Sequence, residues 1–209
     1  MSLFVDSFKE MLEGRVLNIG CFGSTMYDHL YNYSLSGKFY LEGLDIVASN
    51  PDKNVRKGDA LQMNFKKKFN FIIAGELIEH FTLKQAKTFF ARCSNALTED
   101  GTLIMSTPNK KAWSNRLFHK FDTACPKEYS GHQKVYFKKE LVEFLRSNNF
   151  NTKSAYLLPY DIFSSPNKKA WVYYLRKKID IVLGFFGLEN LKEQMVVVCT
   201  KVATGKNKL

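Results

Sequence analysis

Five short apolar segments, each followed by a glycine, a carboxylate or a proline turn, constrain the fold more than any other feature. They span residues 15–19, 39–44, 55–57, 69–74 and 102–106. Helices are predicted over 25–33 and over 83–97, which we expect to end in the turn 99–101, and over 3–13, ending at Gly14. Strands and helices that alternate in this way predict βαβ units and a mostly parallel sheet with helices on both faces.

The second half of the chain continues the pattern with two interruptions. A further helix is predicted over 138–147, and strands over 151–158 and 195–201. The segment of about 110–136 has no regular period, and the segment of about 160–192 is also unusual, so we interpret both as insertions in a single domain spanning 1–209.

The charge of the chain favours an anionic partner. The 209 residues include 31 Lys and Arg against 20 Asp and Glu, a net charge of +11. Residues 110–139 hold eight basic and two acidic side chains, and residues 168–178 hold five basic side chains and no acid. The excess is therefore concentrated in the two insertions.

The cysteine spacing and the lengths of the apolar segments bear on the cellular compartment of the protein. The four cysteines are scattered at positions 21, 93, 125 and 199, without the Cys-x-x-Cys spacing of zinc sites or a disulfide framework. No secretory signal is recognisable at the N-terminus, and no segment approaches the ~20 apolar residues of a membrane span. We therefore expect a cytoplasmic protein.

Ligand-binding residues are expected where the first four strands end. Gly20 follows the first strand, and Asp45, Asp59 and Glu76 follow the next three. The carboxyl ends of parallel strands meet at one edge of a sheet, where carboxylates can accept hydrogen bonds from a ribose or from an exocyclic amine. The pattern predicts a site for an adenosine-containing cofactor.

At this point the chain resembles the class I S-adenosylmethionine-dependent methyltransferases, in particular those that modify small molecules and saccharide precursors. The resemblance rests on VLNIGC at 16–21, GLDI at 43–46, GDA at 58–60, ELIEH at 76–80 and GTLIMSTPN at 101–109. It covers roughly residues 14–158, with 195–201 as the last strand. It implies a Rossmann-like α/β fold with seven strands, six parallel and the last antiparallel, and S-adenosylmethionine as the cofactor.

The resemblance also implies roles for particular residues. The Gly20 turn would border the methionine part of the cofactor, Asp45 the ribose, Asp59 and Ala60 the adenine, and Glu76 the methyl donor. The implied cofactor-binding set is Asn18, Gly20, Cys21, Gly23, Ser24, Asp45, Ile46, Asp59, Ala60 and Glu76. The turn departs from the family pattern, because Asn18 replaces an acidic residue and Phe22 and Ser24 replace the second and third glycines.

Candidate catalytic residues follow the fourth strand and lie far downstream. Glu76, His80 and His132 are predicted to line the site, and an imidazole that titrates near neutrality is a suitable general base for a substrate hydroxyl. Together with Glu79 they also form a possible metal-ligand set, similar to the metal site of small-RNA 2′-O-methyltransferases. We expect no metal and keep that set as the alternative.

The insertions carry aromatic and basic residues with more than one interpretation. In the first, Trp113, Phe118, Phe121 and Tyr129 alternate with Lys110, Lys111, Arg116 and Lys120. They could stack on bases or cover a substrate, or form a lid packed on the domain. In the second, a predicted helix face within 168–188 could contact an anionic membrane, the domain or a second copy. This face contains Trp171, Tyr174, Leu175, Ile179, Val182 and Phe186.

The hypothesis with the most support from the sequence is a methyltransferase that acts on a hydroxyl of a small anionic acceptor. A sugar phosphate, a nucleotide sugar or a lipid-linked precursor would fit the basic insertions. One alternative is a metal-assisted RNA 2′-O-methyltransferase, although nucleic acid is not the favoured partner. Another is a non-catalytic binding protein that retains the fold, which the altered glycine turn would allow.

Overall fold

The computed structural model describes residues 2–21, 23–113, 131–159 and 170–202, with the backbone alone for 170–174 and 176. Its strands are β1 (Gly14–Ile19), β2 (Phe39–Asp45), β3 (Val55–Lys57), β4 (Phe69–Gly75), β5 (Leu97–Pro108), β6 (Phe150–Leu158) and β7 (Gln194–Lys201). Its α-helices are α1 (Leu3–Asp6), α2 (Thr25–Ser34), α3 (Leu83–Ala96), α4 (Lys138–Ser147) and α5 (Ala170–Phe185).

The strands form one seven-stranded sheet in the order β3-β2-β1-β4-β5-β7-β6. Neighbours from β3 through β5 are parallel, and β7 runs antiparallel to both β5 and β6. Six strands therefore share one direction, and β7 alone is reversed. The predicted Rossmann-like mixed sheet is confirmed.

The core has two layers, because successive side chains of a strand point to opposite faces. In β1, Leu17 and Ile19 belong to the layer that contacts α3 and α4, whereas Val16 belongs to the layer that contacts α1 and α2. Phe89 and Phe90 of α3 are both fully buried in the first layer. Helices thus cover both faces of the sheet, as predicted.

Two predicted boundaries are wrong. The single helix predicted over 3–13 is instead α1 followed by a 3-10 turn at Lys9–Met11, and Gly14 already belongs to β1. The turn predicted at 99–101 lies inside β5, because Leu97 pairs with Phe69 directly after α3. A register shift between Phe69 and Phe71 accommodates the intervening residues.

The described parts of the two insertions flank the carboxyl edge of the sheet. Of the first, residues 110–113 and 131–136 are described; Phe118, Phe121, Tyr129, Arg116, Lys120 and Cys125 lie outside the described residues. The second contains α5 and a 3-10 turn at Glu189–Leu191. Within the described residues, no helix combines the length and apolar character needed to cross a bilayer.

Candidate active site

The turn after β1 brings backbone rather than side chains to the carboxyl edge of the sheet. Gly20 and Gly23 have φ angles of +73° and +68°, in the left-handed region that favours glycine. Ser24 caps α2, because its hydroxyl accepts a hydrogen bond from the Met26 backbone N–H at 3.2 Å. Phe22, which replaces a family glycine, lies outside the described residues.

Asn18 is a buried polar side chain just before this turn. It is fully buried in β1 between Gly43 of β2 and Ile73 of β4. Neither the oxygen nor the nitrogen of its side-chain amide has a hydrogen-bond partner in the described part of the chain. A buried amide with both atoms unpaired is costly, so this position is suited to a ligand that completes its hydrogen bonds.

Cys21 and Asp45 lie next to each other at the ends of β1 and β2. Cys21 is 1% exposed, and burial together with the nearby Asp45 charge raises the pKa of its thiol to about 12. The Asp45 carboxylate accepts a hydrogen bond from the Val47 backbone N–H at 2.8 Å. The Asp45 carbonyl in turn accepts one from Gly58 N–H at 2.7 Å, which joins the loops after β2 and β3.

The loops after β2 and β3 combine carboxylates with apolar side chains. Ile46, directly after Asp45, is 65% exposed, whereas Ala60 is buried. Asp59 accepts hydrogen bonds from Leu61 N–H at 2.8 Å and from the Gln62 amide at 3.1 Å. Asp59 therefore stabilises its own turn. The exposed Ile46, beside the Asp45 carboxylate, offers an apolar contact for a planar ring.

A surface pocket of about 190 Å³ lies on the α2 side of the first turn, between Cys21, Tyr27, Lys53 and Val55. Pockets that bind drug-sized ligands typically measure roughly 300–1,000 Å³. This pocket is smaller and is lined in part by Cys21 and Gly23 of the first turn, so the candidate site is defined by the strand ends.

Glu76 occupies the most unusual backbone position of the site. Its φ angle is +49°, a left-handed conformation that costs a non-glycine residue roughly 1–3 kcal/mol. Its carboxylate accepts hydrogen bonds at 3.0 Å from the Ser106 hydroxyl and from the Gln194 amide. The Glu76 backbone N–H also donates to the Ser106 carbonyl at 3.0 Å. This network fixes Glu76 where β4, β5 and β7 meet.

Glu79 is buried one turn further along the chain, with a 1% exposed side chain. Its Oε2 accepts a hydrogen bond from the Thr107 hydroxyl at 3.0 Å, and its Oε1 has no partner among the described residues. Burial, and after it the Glu76 carboxylate, raise the pKa of Glu79 well above its usual range. Its carbonyl accepts hydrogen bonds from the backbone N–H groups of Gln133 at 2.7 Å and Lys134 at 3.1 Å.

Those two backbone bonds hold the downstream segment against the end of β4 and bring His132 to His80. The centroids of the two imidazole rings are 5.0 Å apart with an interplanar angle of 72°. Burial, and to a lesser degree His132, lower the pKa of His80. Ligand atoms of Glu79, His80 and His132 all lie within 4.8 Å of one another, and this closely spaced group does not include Glu76.

The structure therefore brings the predicted residues to one edge of the sheet in two clusters. The first contains Asn18, the Gly20 turn and the Asp45 and Asp59 loops; the second contains Glu76, Glu79 and the two histidines. Sequence reasoning missed Ser106, Thr107 and Gln194, which hold the two glutamates. Ser106 and Thr107 could have been found, because they end a predicted strand. Nothing near Gln194 in the sequence indicates its contact with Glu76.

Comparisons with known proteins agree with this architecture. A family model described as a methyltransferase domain matches residues 4–155. No curated protein matches the chain at a significant level.

Solved structures of low sequence identity share the fold. The N-methyltransferase NodS from Bradyrhizobium japonicum WM9, in complex with S-adenosylhomocysteine, has a TM-score of 0.58 at 12% identity and covers 95% of this chain and 83% of its own. A SAM-dependent methyltransferase from Archaeoglobus fulgidus has a TM-score of 0.61 at 17% identity, covering 95% and 93%. The 1,6-didemethyltoxoflavin-N1-methyltransferase of Burkholderia thailandensis has a TM-score of 0.60 at 14% identity, covering 95% and 76%.

The family model spans most of the chain, from α1 to β6, and the sheet has the six parallel strands and the antiparallel last strand that the resemblance implied. The chain belongs to the methyltransferase-domain family, the S-adenosylmethionine-dependent class I methyltransferases.

Proposed function

We propose that this methyltransferase modifies a hydroxyl group on a small anionic acceptor, with a sugar phosphate, a nucleotide sugar or a lipid-linked precursor as the candidate classes. The observation that carries the proposal is the pair of imidazoles, His80 and His132, at the end of β4. A neutral hydroxyl is a weak nucleophile, so its methylation benefits from a nearby base. The two imidazoles could supply that base, and they have no evident structural role within the described residues.

For the cofactor, we propose the residues at the ends of β1, β2 and β3. The left-handed glycines allow backbone N–H groups to approach the methionine part, and the unpaired Asn18 amide offers a donor and an acceptor beside them. Asp45 is placed to accept hydrogen bonds from the ribose hydroxyls, with Ile46 available to the adenine. The complete proposed set is Asn18, Gly20, Cys21, Gly23, Ser24, Asp45, Ile46, Asp59, Ala60 and Glu76.

For the chemistry, bound S-adenosylmethionine supplies an electrophilic methyl group whose transfer leaves S-adenosylhomocysteine. The acceptor hydroxyl loses its proton as the new O–CH₃ bond forms, and we assign this proton to the imidazole of His132 or His80. Glu76 is held rigidly by Ser106 and Gln194, so we assign it to orienting the groups at the methyl end of the cofactor. Direct transfer needs little more than this alignment.

We propose an anionic acceptor because basic side chains lie at the rim of the candidate site. Lys110 and Lys111 are exposed directly after Asn109 at the end of β5, and Lys110 lies 4.8 Å from the Phe137 ring centroid. Cationic side chains at a cleft attract and orient anions. We also propose a cytoplasmic location, in keeping with the free and buried thiols of Cys21, Cys93 and Cys199.

Isothermal titration calorimetry with S-adenosylmethionine and S-adenosylhomocysteine tests the cofactor assignment. We expect saturable binding that Asp45→Ala weakens at least about tenfold, since one ribose hydrogen-bond acceptor is worth roughly 1–2 kcal/mol or more. Asp52→Ala, which removes an exposed carboxylate from the turn before β3, serves as the control and should leave the affinity unchanged. Absence of binding at millimolar cofactor would refute the proposal.

Transfer of a radiolabelled methyl group to a panel of the three acceptor classes tests the base. His132→Ala or His80→Ala should lower kcat by about 100-fold, the lower range for a lost general base, with unchanged cofactor affinity. His29→Ala, whose histidine lies on α2 and accepts a hydrogen bond from Ser2 N–H, is the control. Methylation of an amine acceptor that is indifferent to both site variants would overturn the hydroxyl assignment.

A second candidate function, metal-assisted methylation of an RNA 2′-hydroxyl, is favoured by one observation. The Glu79 Oε1 is buried beside two imidazoles and has no hydrogen-bond partner among the described residues, and this donor set suits a divalent ion such as Mn²⁺. Calorimetry with Mn²⁺ should then show one site that Glu79→Gln removes and the exposed control Glu99→Gln retains. No binding of Mn²⁺, or activity indifferent to EDTA, would eliminate this candidate.

A further inference from the structure

The C-terminal half of α5 and the turn after it expose an unusual concentration of large apolar side chains. We define the apolar tip as Ile181, Val182, Phe185, Phe186 and Leu188. Phe185 is 93% exposed and Phe186 is 74% exposed. Contiguous exposed apolar groups of this kind mark contact surfaces more often than isolated ones do.

The tip is not the face by which α5 packs on the domain. Asp180, on the other side of the helix, is fully buried and accepts hydrogen bonds from the Trp113 indole at 2.9 Å and from the Glu193 backbone N–H at 3.3 Å. The helix is therefore docked through Asp180, and this docking leaves the tip directed outward.

The charges beside the tip distinguish between possible partners. Lys177 and Lys178 lie on the same helix just before the tip, and Lys178 is exposed. Next to the tip, Glu189 pairs with Lys192 at 3.2 Å, so its charge is compensated. A second copy that packed tip to tip would bring the lysines of the two helices together, at an electrostatic cost. An anionic surface would instead neutralise the lysines of each copy.

The tip also lies on the edge of the sheet that carries the candidate active site. The chain runs from Leu188 through five residues to Gln194, whose amide donates to the Glu76 carboxylate at 3.0 Å. Asn109, at the end of β5, holds this connection by donating to the carbonyls of Asn190 at 3.0 Å and Lys192 at 2.8 Å. A surface bound by the tip would therefore be near the acceptor side of the site.

We propose that the apolar tip docks on an anionic lipid bilayer. The two phenylalanines enter the interfacial region, and the basic residues of α5 contact the lipid headgroups, as in interfacial amphipathic helices. This inference is independent of the acceptor, because binding to the bilayer requires neither cofactor nor substrate.

Cosedimentation with vesicles tests the inference on the full chain. We expect binding to phosphatidylcholine vesicles that contain 30% phosphatidylglycerol, weak binding to phosphatidylcholine alone, and a decrease with added salt. The double variant Phe185→Ser, Phe186→Ser should lower the partition coefficient at least about tenfold. Leu35→Ser, which changes a 68% exposed leucine at the end of α2, is the matched control and should bind like the unmodified protein.

Three outcomes would overturn the inference. They are no binding to anionic vesicles, equal binding by the double variant, and a lipid-free dimer in analytical ultracentrifugation that the double variant abolishes. The last result would assign the tip to a second copy of the chain. Thermal unfolding of the double variant should match that of the unmodified protein, because both phenylalanines are exposed, so a loss of binding cannot be attributed to misfolding.

Discussion

Several of the buried polar atoms that lack a partner among the described residues lie near the carboxyl edge of the sheet. Both amide atoms of Asn18, Oε1 of Glu79 and Oε1 of Gln194 have no hydrogen-bond partner within the described residues. Each such atom costs roughly 1–3 kcal/mol, which a globular protein seldom retains without a use. Under the proposed function, cofactor and acceptor would supply the missing hydrogen bonds at this edge when they bind.

Cys21 provides a residue-scale prediction about the altered turn. Burial and the Asp45 charge raise the pKa of its thiol to about 12, so at pH 8 the thiol is protonated and shielded. We expect Cys21 to resist iodoacetamide at pH 8 in the folded protein and to react fully in 8 M urea. Peptide mass spectrometry measures the labelled fraction. Rapid labelling of the folded protein would show that the turn is open.

At the scale of single elements, the sequence predicted where residues lie on the sheet better than it predicted which side chains they contact. Asp45 and Asp59 could be placed at one edge because each ends a strand whose apolar residues are contiguous in the chain. The cap formed by the Ser24 side chain could not be predicted in the same way, because a motif position and a helix cap look alike in the sequence. The contact of Gln194 with Glu76 depends on β7 inserting between β5 and β6, which no local pattern indicates.

Ser24 yields a prediction that separates the cap of α2 from a role in cofactor binding. Ser24→Ala should lower the free energy of unfolding by about 1 kcal/mol, because it removes the bond to Met26 N–H, whereas Ser24→Gly should cost only a few tenths of a kcal/mol. Urea denaturation measures both. Because the Ser24 hydroxyl already caps α2, we expect Ser24 to border the cofactor through its backbone only, so the glycine variant should keep its affinity for S-adenosylhomocysteine. A tenfold loss in that variant would instead assign the hydroxyl to the cofactor.

At the scale of the whole molecule, residues from distant parts of the chain come together at the carboxyl edge of the sheet, where the candidate site lies. The first half supplies β1 to β5, and the C-terminal segment returns as β7 to complete the setting of Glu76. The polar connections between β5 and the segment before β7 therefore connect the sheet, the candidate site and α5. Asn109 makes several of them at once.

Replacing Asn109 should weaken these connections. Its amide donates to the carbonyls of Asn190 and Lys192, and its oxygen accepts from Lys111 N–H at 3.1 Å. Because Asn109 is 2% exposed, Asn109→Ala leaves these groups without their partner, and we expect a loss of about 1–3 kcal/mol in urea denaturation. Limited proteolysis should cleave the 186–193 segment faster. Asn151→Ala, at an exposed position of β6, should change stability by less than about 0.5 kcal/mol. Equal stability of the two variants would show that β7 pairing alone holds this edge together.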